Sequence, residues 1–268
     1  MKGKVLSTHI LIISGKILFL AFALLSMAFV NHTLKNKQIQ QVIIHIHSNN
    51  NPNMCSTNDI KKYIEKNKYE LNHQPYSAIN FHQLEKVLNE KNEVKKADVF
   101  FTPNEELCID ITERQPVARI ITSRINHYID DEWKIFKAIN SYKVPLVLGD
   151  IYDNPELFKH YSIRHIHKSK LLTNVSSLDD IYQALQVITA DSVLFNFIDY
   201  LYINTQHEIT LYPVIGKFLI QVGNSDHFLG KMNKLKLFIT NGLNKNDGWN
   251  KYTTINISYK NLIYCTKK

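Results

Sequence analysis

Two groups of acidic side chains have the residue types that catalysis most often needs. Asp130, Asp131 and Glu132 are consecutive, and Asp179 and Asp180 form a second pair further along the chain. Two carboxyl groups that face each other across a cleft can hydrolyse a glycosidic bond, one as the acid and the other as the base or nucleophile. The same residues fit a solvated turn and the first turn of a helix, where the helix dipole favours negative charge. We favour these structural roles and predict no catalytic residue.

Two pairs of histidines have a spacing that could bring two imidazoles to one zinc ion. His45 and His47 point to the same face of a strand, as do His165 and His167 if that stretch is extended. A zinc site needs three or four ligands. The 12 histidines are dispersed, and no cysteine or carboxylate stands at ligand spacing from either pair. The sequence therefore predicts surface histidines and no metal site.

The sequence motifs of the common enzyme classes are absent from the chain. It has no G-x-S-x-G, H-E-x-x-H, phosphate loop or dinucleotide fingerprint, and it has only 8 glycines. Cys55, Cys108 and Cys265 are widely spaced and odd in number, so they indicate small, partly buried side chains. These features predict a protein that is not an enzyme and takes no cofactor and no small-molecule substrate.

The chain has a net charge of +8 at pH 7, which favours association with polyanions such as nucleic acid, anionic lipid or cell-wall polymer. Its basic residues are scattered, with no arginine-rich run and no nucleic-acid-binding module, so we predict no nucleic-acid partner. An apolar share of 44% is ordinary for a globular protein, and the many Tyr, Phe, Ile and Val residues favour sheets. The expected fold class is α+β.

Residues 10–30 are almost wholly apolar, and their number is about that of a helix that crosses the hydrocarbon layer. Lys16 interrupts the run, but its long stem can carry the ammonium group towards the headgroups. A cleaved signal peptide is the alternative interpretation, although no A-x-A cleavage site follows. We expect a retained transmembrane helix between a short tail at residues 1–9 and a polar linker at residues 31–40. Charge alone leaves the orientation undecided, because Lys2 and Lys4 on one side are matched by Lys35 and Lys37 on the other.

Residues 41–120 are expected to form a small domain with the element order β-α-α-β-β. A stretch rich in β-branched residues predicts a strand over 41–48, and two amphipathic helices follow it. Apolar and polar residues then alternate over 97–101 and 107–112, which indicates two half-buried strands joined by a turn. A sheet of this size can bury one face under two helices.

This element order resembles a POTRA domain, and two stretches of sequence strengthen the likeness. Residues 94–99 are similar to a V-x-x-A-x-V strand. Residues 113–118 are similar to the E-R-x-P-x-A pattern that ends the last POTRA strand in the FtsQ/DivIB family of bacterial cell-division proteins. The resemblance implies that the chain continues into an FtsQ-type β-domain.

Two further sets of residues in this region are candidate sites. The third strand, with Leu107, Ile109 and Ile111, is a candidate edge to which a partner could add a strand of its own. The segment with Glu113, Arg114 and Pro116 is expected to shape the domain junction, because proline removes a donor and ends regular pairing.

Residues 121–268 are expected to form the second domain, with a mixed sheet and two helices. Short strands are predicted on both sides of the acidic turn at residues 130–132 and over several later stretches. Apolar stripes predict one helix after Ser176 and another from Phe228 to Ile239. The sequence from Tyr252 to Cys265 predicts one long final strand.

The second domain carries its own points of resemblance to the FtsQ/DivIB family. Trp133 departs from the family pattern, because a turn glycine is often found at that position. The run from Lys234 to Lys268 closely resembles the carboxy-terminal region that engages FtsB/FtsL-type coiled-coil partners. A final strand at a sheet edge would also offer unpaired backbone groups to such a partner. The candidate partner-contacting or partner-supporting residues, for each of which core packing is the alternative, are Ile255, Ile257, Tyr259 and Leu262.

The resemblance implies a non-enzymatic scaffold of the bacterial divisome that links FtsB/FtsL-type proteins and other divisome membrane proteins at the division septum. It implies a single-pass protein of the cell inner membrane, with a cytoplasmic N terminus and a periplasmic bulk. One alternative is a POTRA-bearing component of polypeptide transport, which would require a membrane barrel. Another is a membrane-anchored cell-envelope enzyme, which would require clustered carboxylates in a deep pocket.

Overall fold

The computed structural model describes residues 16–27, 37–49, 53–137, 141–151, 162–169, 176–245 and 248–268. The chain divides into two compact units, Met1–Glu113 and Arg114–Lys268. This division precedes the predicted boundary at residue 120, because the strand that begins at Pro116 belongs to the sheet of the second unit.

Residues 16–27 form the first described helix, α1, and their side chains are exposed. They are the central part of the predicted transmembrane segment at 10–30. The rest of that prediction lies outside the described residues, as do the predicted tail at 1–9 and most of the predicted linker at 31–40. No helix in the described part of the chain combines the length and the apolar character that crossing a membrane requires.

After α1, the described part of the first unit forms a three-stranded sheet packed under two helices. Both helices begin at side-chain caps: Ser56 and Asp59 form a capping box, and Asn80 Oδ1 accepts the N–H of Gln83 at 3.0 Å. The observed order confirms the predicted β-α-α-β-β arrangement. Its elements are β1 (Gln41–His47), α2 (Thr57–Lys66), α3 (Phe81–Asn89), β2 (Val94–Phe101) and β3 (Glu106–Glu113).

β3 is the central strand of this sheet, parallel to β1 on one side and antiparallel to β2 on the other. Leu107, Ile109 and Ile111 are fully buried in the core that the sheet shares with the helices. The prediction of an open edge at these three residues is therefore wrong. Both neighbouring strands already occupy the N–H and C=O groups of β3, so no partner can add a strand there.

The second unit is a nine-stranded mixed sheet with helices packed against it. The strands lie in the order β12-β11-β10-β9-β8-β7-β4-β5-β6. The elements in chain order are β4 (Pro116–Ile121), β5 (Asn126–Asp130), β6 (Ile135–Lys137), β7 (Leu146–Gly149), α4 (Ile163–Lys168), α5 (Ser177–Thr189), α6 (Ser192–Phe197), β8 (Ile198–Ile203), β9 (Ile209–Pro213), β10 (Leu219–Gly223), α7 (Phe228–Phe238), β11 (Tyr252–Asn256) and β12 (Tyr264–Lys267).

The two predicted helices of this unit are confirmed as α5 and α7, whereas the short helices α4 and α6 are additional. Leu185 and Leu235 are buried with Leu201 and Leu211 of the sheet in one continuous core. His165 and His167 lie in α4. Because that stretch is helical and not extended, the two histidines do not share one face as the strand interpretation required.

The predicted long final strand is wrong in its length, because two strands occupy that region. β11 ends at Asn256, and β12 returns antiparallel to it from Tyr264. Asn256 Oδ1 accepts hydrogen bonds from the N–H and the hydroxyl of Ser258, which turns the chain away from β11. Because β-forming residues lie on both sides of this turn, the sequence pattern predicted one strand where the structure has two.

Trp133 occupies the turn between β5 and β6 in the left-handed conformation that glycine favours, with φ +67°. Its indole packs edge to face on Tyr182, with the ring centroids 4.8 Å apart, and only 8% of the residue is exposed. Its carbonyl accepts the N–H of Ile163 at 2.9 Å. Burial of the indole ring offsets the backbone strain, so the turn forms without glycine.

We expect thiol reagents to distinguish the cysteines of the folded protein. Cys55 and Cys108 are buried, and Cys265 is partly exposed. Burial raises the pKa of all three thiols, and a hydrogen bond to the Glu113 carboxylate raises that of Cys55 further. Because the thiolate is the reactive form, Cys265 should be alkylated slowly and Cys55 only after unfolding. Mass spectrometry after an iodoacetamide pulse, with and without urea, measures this order. Reaction of Cys55 before Cys265 in the absence of urea would contradict the packing described for the first unit.

Candidate functional site

The C-terminal hairpin forms one edge of the nine-stranded sheet. β11 lies between β10 and β12, and among the described strands β12 has a neighbour on one side only. An edge strand presents unpaired N–H and C=O groups, and another chain can complete them by adding a strand. The four residues of β12 are therefore a candidate site for backbone docking by their position in the sheet.

Three large side chains beside this edge are exposed to solvent. Tyr259, Leu262 and Tyr264 are 53%, 56% and 55% exposed. The rings of Tyr259 and Tyr264 meet edge to face, with their centroids 5.1 Å apart. We call these three residues the hairpin patch. The patch places apolar surface next to unpaired backbone groups, which is the combination that recognition by strand addition uses.

A lysine of α7 fixes the loop that carries the hairpin patch. Lys234 Nζ donates to the backbone carbonyls of Ile257 at 3.0 Å and Leu262 at 3.2 Å, and also to that of Tyr259. Desolvation by the surrounding protein lowers the pKa of Lys234. One ammonium group thus satisfies carbonyls from both ends of the loop and links the loop to the helix. We call this interaction the Lys234 clamp.

The structure divides the four predicted partner-contacting residues into two pairs. Ile255 and Ile257 are fully buried in the core, so they support the hairpin and cannot touch a partner while the unit is folded. Tyr259 and Leu262 belong to the hairpin patch. Tyr264 is a member that the prediction missed. The polar stretch Ser258-Tyr259-Lys260-Asn261 was the signal for a turn that would have divided the strand and found Tyr264.

Comparison with known protein families places this hairpin in a recognised domain. A family model described as FtsQ/DivIB, C-terminal related, matches residues 115–266, which is more than half of the chain. The chain belongs to the FtsQ/DivIB family. A second model, described as a POTRA-like domain, matches residues 37–112, and together the two models confirm the predicted family resemblance. No curated protein matches the chain.

The two residues between these family matches have separate structural roles in this FtsQ/DivIB protein. Glu113 is buried at the end of β3, and its carboxylate accepts the N–H groups of Met54 at 3.0 Å and Cys55 at 2.7 Å. The Cys55 thiol lies 3.2 Å from the same carboxylate. Glu113 therefore holds the segment that leads into α2 of the POTRA-like domain.

Arg114 forms a buried ion pair in the FtsQ/DivIB-related domain. Its Nη1 donates to Asp130 Oδ2 at 2.7 Å, and Asp130 is fully buried. The other carboxylate oxygen accepts the N–H groups of Glu132 at 3.0 Å and Lys134 at 2.8 Å. Pro116 opens β4 directly opposite Asp130. Asp130 thus closes a turn, as expected for this acidic group, but it is fully buried and not solvated as the prediction had it.

The second acidic pair lies in the first turn of α5, and each carboxylate engages a histidine. Asp179 Oδ1 is 2.5 Å from His167 Nδ1, and Asp180 Oδ2 is 2.7 Å from His207 Nδ1. Ser225 Oγ donates to the remaining oxygen of Asp180 at 2.5 Å. Serine and histidine bind the same carboxylate and not each other, which is not the arrangement of a serine-hydrolase triad. These contacts tie α4 and two connecting segments to the start of α5.

The histidine pairs do not assemble a metal site in the described ranges, where no three His, Cys, Asp or Glu side chains are grouped to hold an ion. His45 and His47 lie on one face of β1, on the side opposite to Ile44 and Ile46, which pack against the core. His167 is engaged with Asp179.

We expect the substitution Asp130→Asn to destabilise the second unit by about 3 kcal/mol, because it leaves the Arg114 guanidinium buried beside a neutral group. Asp199→Asn is the matched control, since Asp199 is an exposed aspartate of the same unit, and its cost should stay within about 0.5 kcal/mol. Urea unfolding of the two variants and the parent protein measures both values. Equal stabilities of the two variants would rule out a structural role for the ion pair.

We expect Lys234→Met to loosen the hairpin loop while the core stays folded, because the side chain keeps its length but loses its bonds to three carbonyls. Amide hydrogen exchange of the peptide covering residues 255–264 should accelerate about tenfold or more. Lys231→Met is the control, because Lys231 Nζ donates to Asn224 and not to the hairpin. The same exchange rate in both variants would show that the clamp does not order the loop.

Proposed function

We propose that this FtsQ/DivIB protein is a non-enzymatic, bitopic scaffold that recruits FtsB/FtsL-type coiled-coil proteins and other membrane proteins of the bacterial divisome. A helix over residues 10–30 would hold it in the cell inner membrane, with a cytoplasmic N terminus and a periplasmic bulk at the division septum. Family membership supports the cell-division role, and the apolar composition of residues 10–30 supports the anchor. The proposed function requires no cofactor, metal or small-molecule substrate.

The open edge of β12 beside the hairpin patch is the observation that carries this proposal. An extended segment of a partner would pair with the backbone of β12 and place its side chains against Tyr259, Leu262 and Tyr264. Backbone pairing supplies affinity without regard to sequence, while the patch supplies selectivity for an apolar segment. The Lys234 clamp supports binding by fixing the loop before the partner arrives, which lowers the entropy cost of association.

The small size of the edge favours a set of linked contacts over one strong contact. β12 has four residues, and a strand of that length cannot supply the interface of a stable isolated complex. Proteins held in the same membrane meet at high effective concentration, so individually weak contacts suffice for assembly. This favours partners that share the membrane, as the proposal requires.

The aspartates that could serve as catalytic carboxylates are engaged in structural contacts, which gives little support to the alternative of a cell-envelope enzyme. Asp130 is engaged with Arg114 and two backbone N–H groups, and Asp179 and Asp180 are engaged with histidines. A glycosidase needs two carboxyl groups facing a substrate cleft. The transport alternative gains no support from the family matched by the second unit.

We expect the double substitution Leu262→Ser and Tyr264→Ser to lower recovery of FtsB/FtsL-type proteins with the tagged full-length chain by about tenfold or more. Both side chains are exposed, so the fold should be retained. Co-purification from cells followed by quantitative mass spectrometry is the measurement. Leu229→Ser is the matched control, since Leu229 is 60% exposed on α7 outside the hairpin patch.

The two parts of the proposal fail in different ways in this experiment. If the parent protein brings down division proteins and the double variant retains them, the binding site is elsewhere on the scaffold. If the parent protein brings down transport or wall-processing proteins and no division proteins, the scaffold function itself is wrong.

A further inference from the structure

The turn between β9 and β10 exposes two neighbouring apolar side chains. Val214 and Ile215 are 57% and 60% exposed, in a turn of the kind that usually carries polar residues. The turn is held in place, because Val214 N–H donates to the carbonyl of Phe197 at 2.8 Å. Gly216 has φ +99°, and a Cβ there would lie 2.4 Å from the ring of Phe218. The apolar tip is therefore presented on a fixed support.

Four lysines are brought to the same end of the sheet as this tip. β10 and β11 are parallel and begin at this end, and the antiparallel β12 finishes there. Lys217 precedes β10 and Lys251 precedes β11, while Lys267 pairs opposite Tyr252. Lys268 N–H donates to the carbonyl of Lys251 at 3.1 Å. All four lysines are exposed. We use the name basic end for the two residues of the tip and these lysines, that is, Val214, Ile215, Lys217, Lys251, Lys267 and Lys268.

A tryptophan supports the basic end from inside. The indole of Trp249 lies between Phe197 and Phe218, with both ring centroids 6.1 Å away, and its Nε1–H donates to Asn244 Oδ1 at 3.1 Å. Val214 and Ile215 lie outside this ring packing, since both side chains are more than half exposed.

The four lysines outnumber the acidic side chains that the structure describes at this end. Asp199 is exposed near the start of β8, and Asp191 is bonded to Lys236. The basic end therefore combines a net positive charge with an apolar tip. A surface of this composition is suited to the boundary between lipid headgroups and acyl chains, where lysine pairs with phosphate and apolar side chains leave water.

We propose that the basic end binds the surface of an anionic phospholipid bilayer, with Val214 and Ile215 below the headgroups and the lysines at the phosphates. This inference goes beyond the proposed scaffold function and does not depend on it. A soluble polyanion would satisfy the lysines but would leave the apolar tip in water. The tip also has no exposed aromatic ring or side-chain donor with which to bind a nucleic acid. The combination therefore favours a lipid surface over a soluble polymer.

The test places an environment-sensitive NBD probe at Ile215→Cys in the full chain, in a Cys265→Ser background that removes the partly exposed native thiol. Leu229→Cys is the matched control, since its side chain is also 60% exposed. Vesicles of phosphatidylcholine are compared with vesicles that also contain phosphatidylglycerol. We expect a several-fold fluorescence gain and a blue shift at position 215 in the anionic vesicles, and neither effect at position 229. Because both variants contain residues 1–30, insertion of that segment cannot produce the difference.

Charge variants complete the test. Lys217→Gln with Lys267→Gln should abolish most of the gain at position 215, whereas Lys86→Gln with Lys260→Gln, which removes two exposed lysines elsewhere, should leave it intact. Equal responses at positions 215 and 229, or no response in anionic vesicles, would overturn the proposal. A response to soluble polyphosphate without a response to vesicles would also overturn it, because the basic end would then bind a polymer and not a membrane.

Discussion

The second unit depends on one buried ion pair. Asp130 has no contact with water, so its charge is tolerated only because Arg114 lies 2.7 Å away and two backbone N–H groups bind the other carboxylate oxygen. These contacts close the β5–β6 turn and hold the start of β4 opposite the end of β5. The preceding residue, Glu113, has an equivalent role in the first unit, where its carboxylate binds the N–H groups that lead into α2. Two adjacent residues therefore satisfy buried polar groups in two separate units. Together with Pro116 at the start of β4, they give a physical reason for the E-R-x-P segment at the junction.

Local patterns predicted most of the elements but not the way in which the strands pair. The order β-α-α-β-β and the helices α5 and α7 follow from alternation, helical periodicity and capping residues, which act over a few neighbouring positions. The central position of β3 depends on which distant strands pair with it, and residues 107–111 carry no signal for that choice. The final strand failed for a related reason, because β-forming residues on both sides of a short turn gave one continuous pattern. Trp133 shows the same limit, since a buried ring in contact with Tyr182 outweighs the preference of the turn for glycine.

The candidate site was predicted in its location and only partly in its residues. Tyr259 and Leu262 are exposed beside the edge, but Ile255 and Ile257 are fully buried in the core that the sheet shares with α7. The prediction missed Tyr264, because one long strand was predicted across the polar turn at residues 258–261. The Lys234 clamp could not be found from the sequence at all, since nothing in the pattern of α7 indicates that one of its lysines binds three carbonyls more than twenty residues away. The edge gives the site its backbone groups, the hairpin patch gives it apolar surface, and the clamp keeps the two together.

The parallel pairing of β10 and β11 has a consequence for the order in which the site is built. Parallel neighbours require the chain to return to the starting end of the sheet, and here it does so through α7. β11 and β12 follow every other described strand in the sequence. Among the described strands, β12 is joined to the sheet only through β11, and β11 only through β10, so the carbonyls of Ile257, Tyr259 and Leu262 meet Lys234 of α7 only when these pairings are complete. The edge strand β12 therefore depends on the strands before it in the sheet, and the exposed hairpin patch exists as one surface only in the folded second unit.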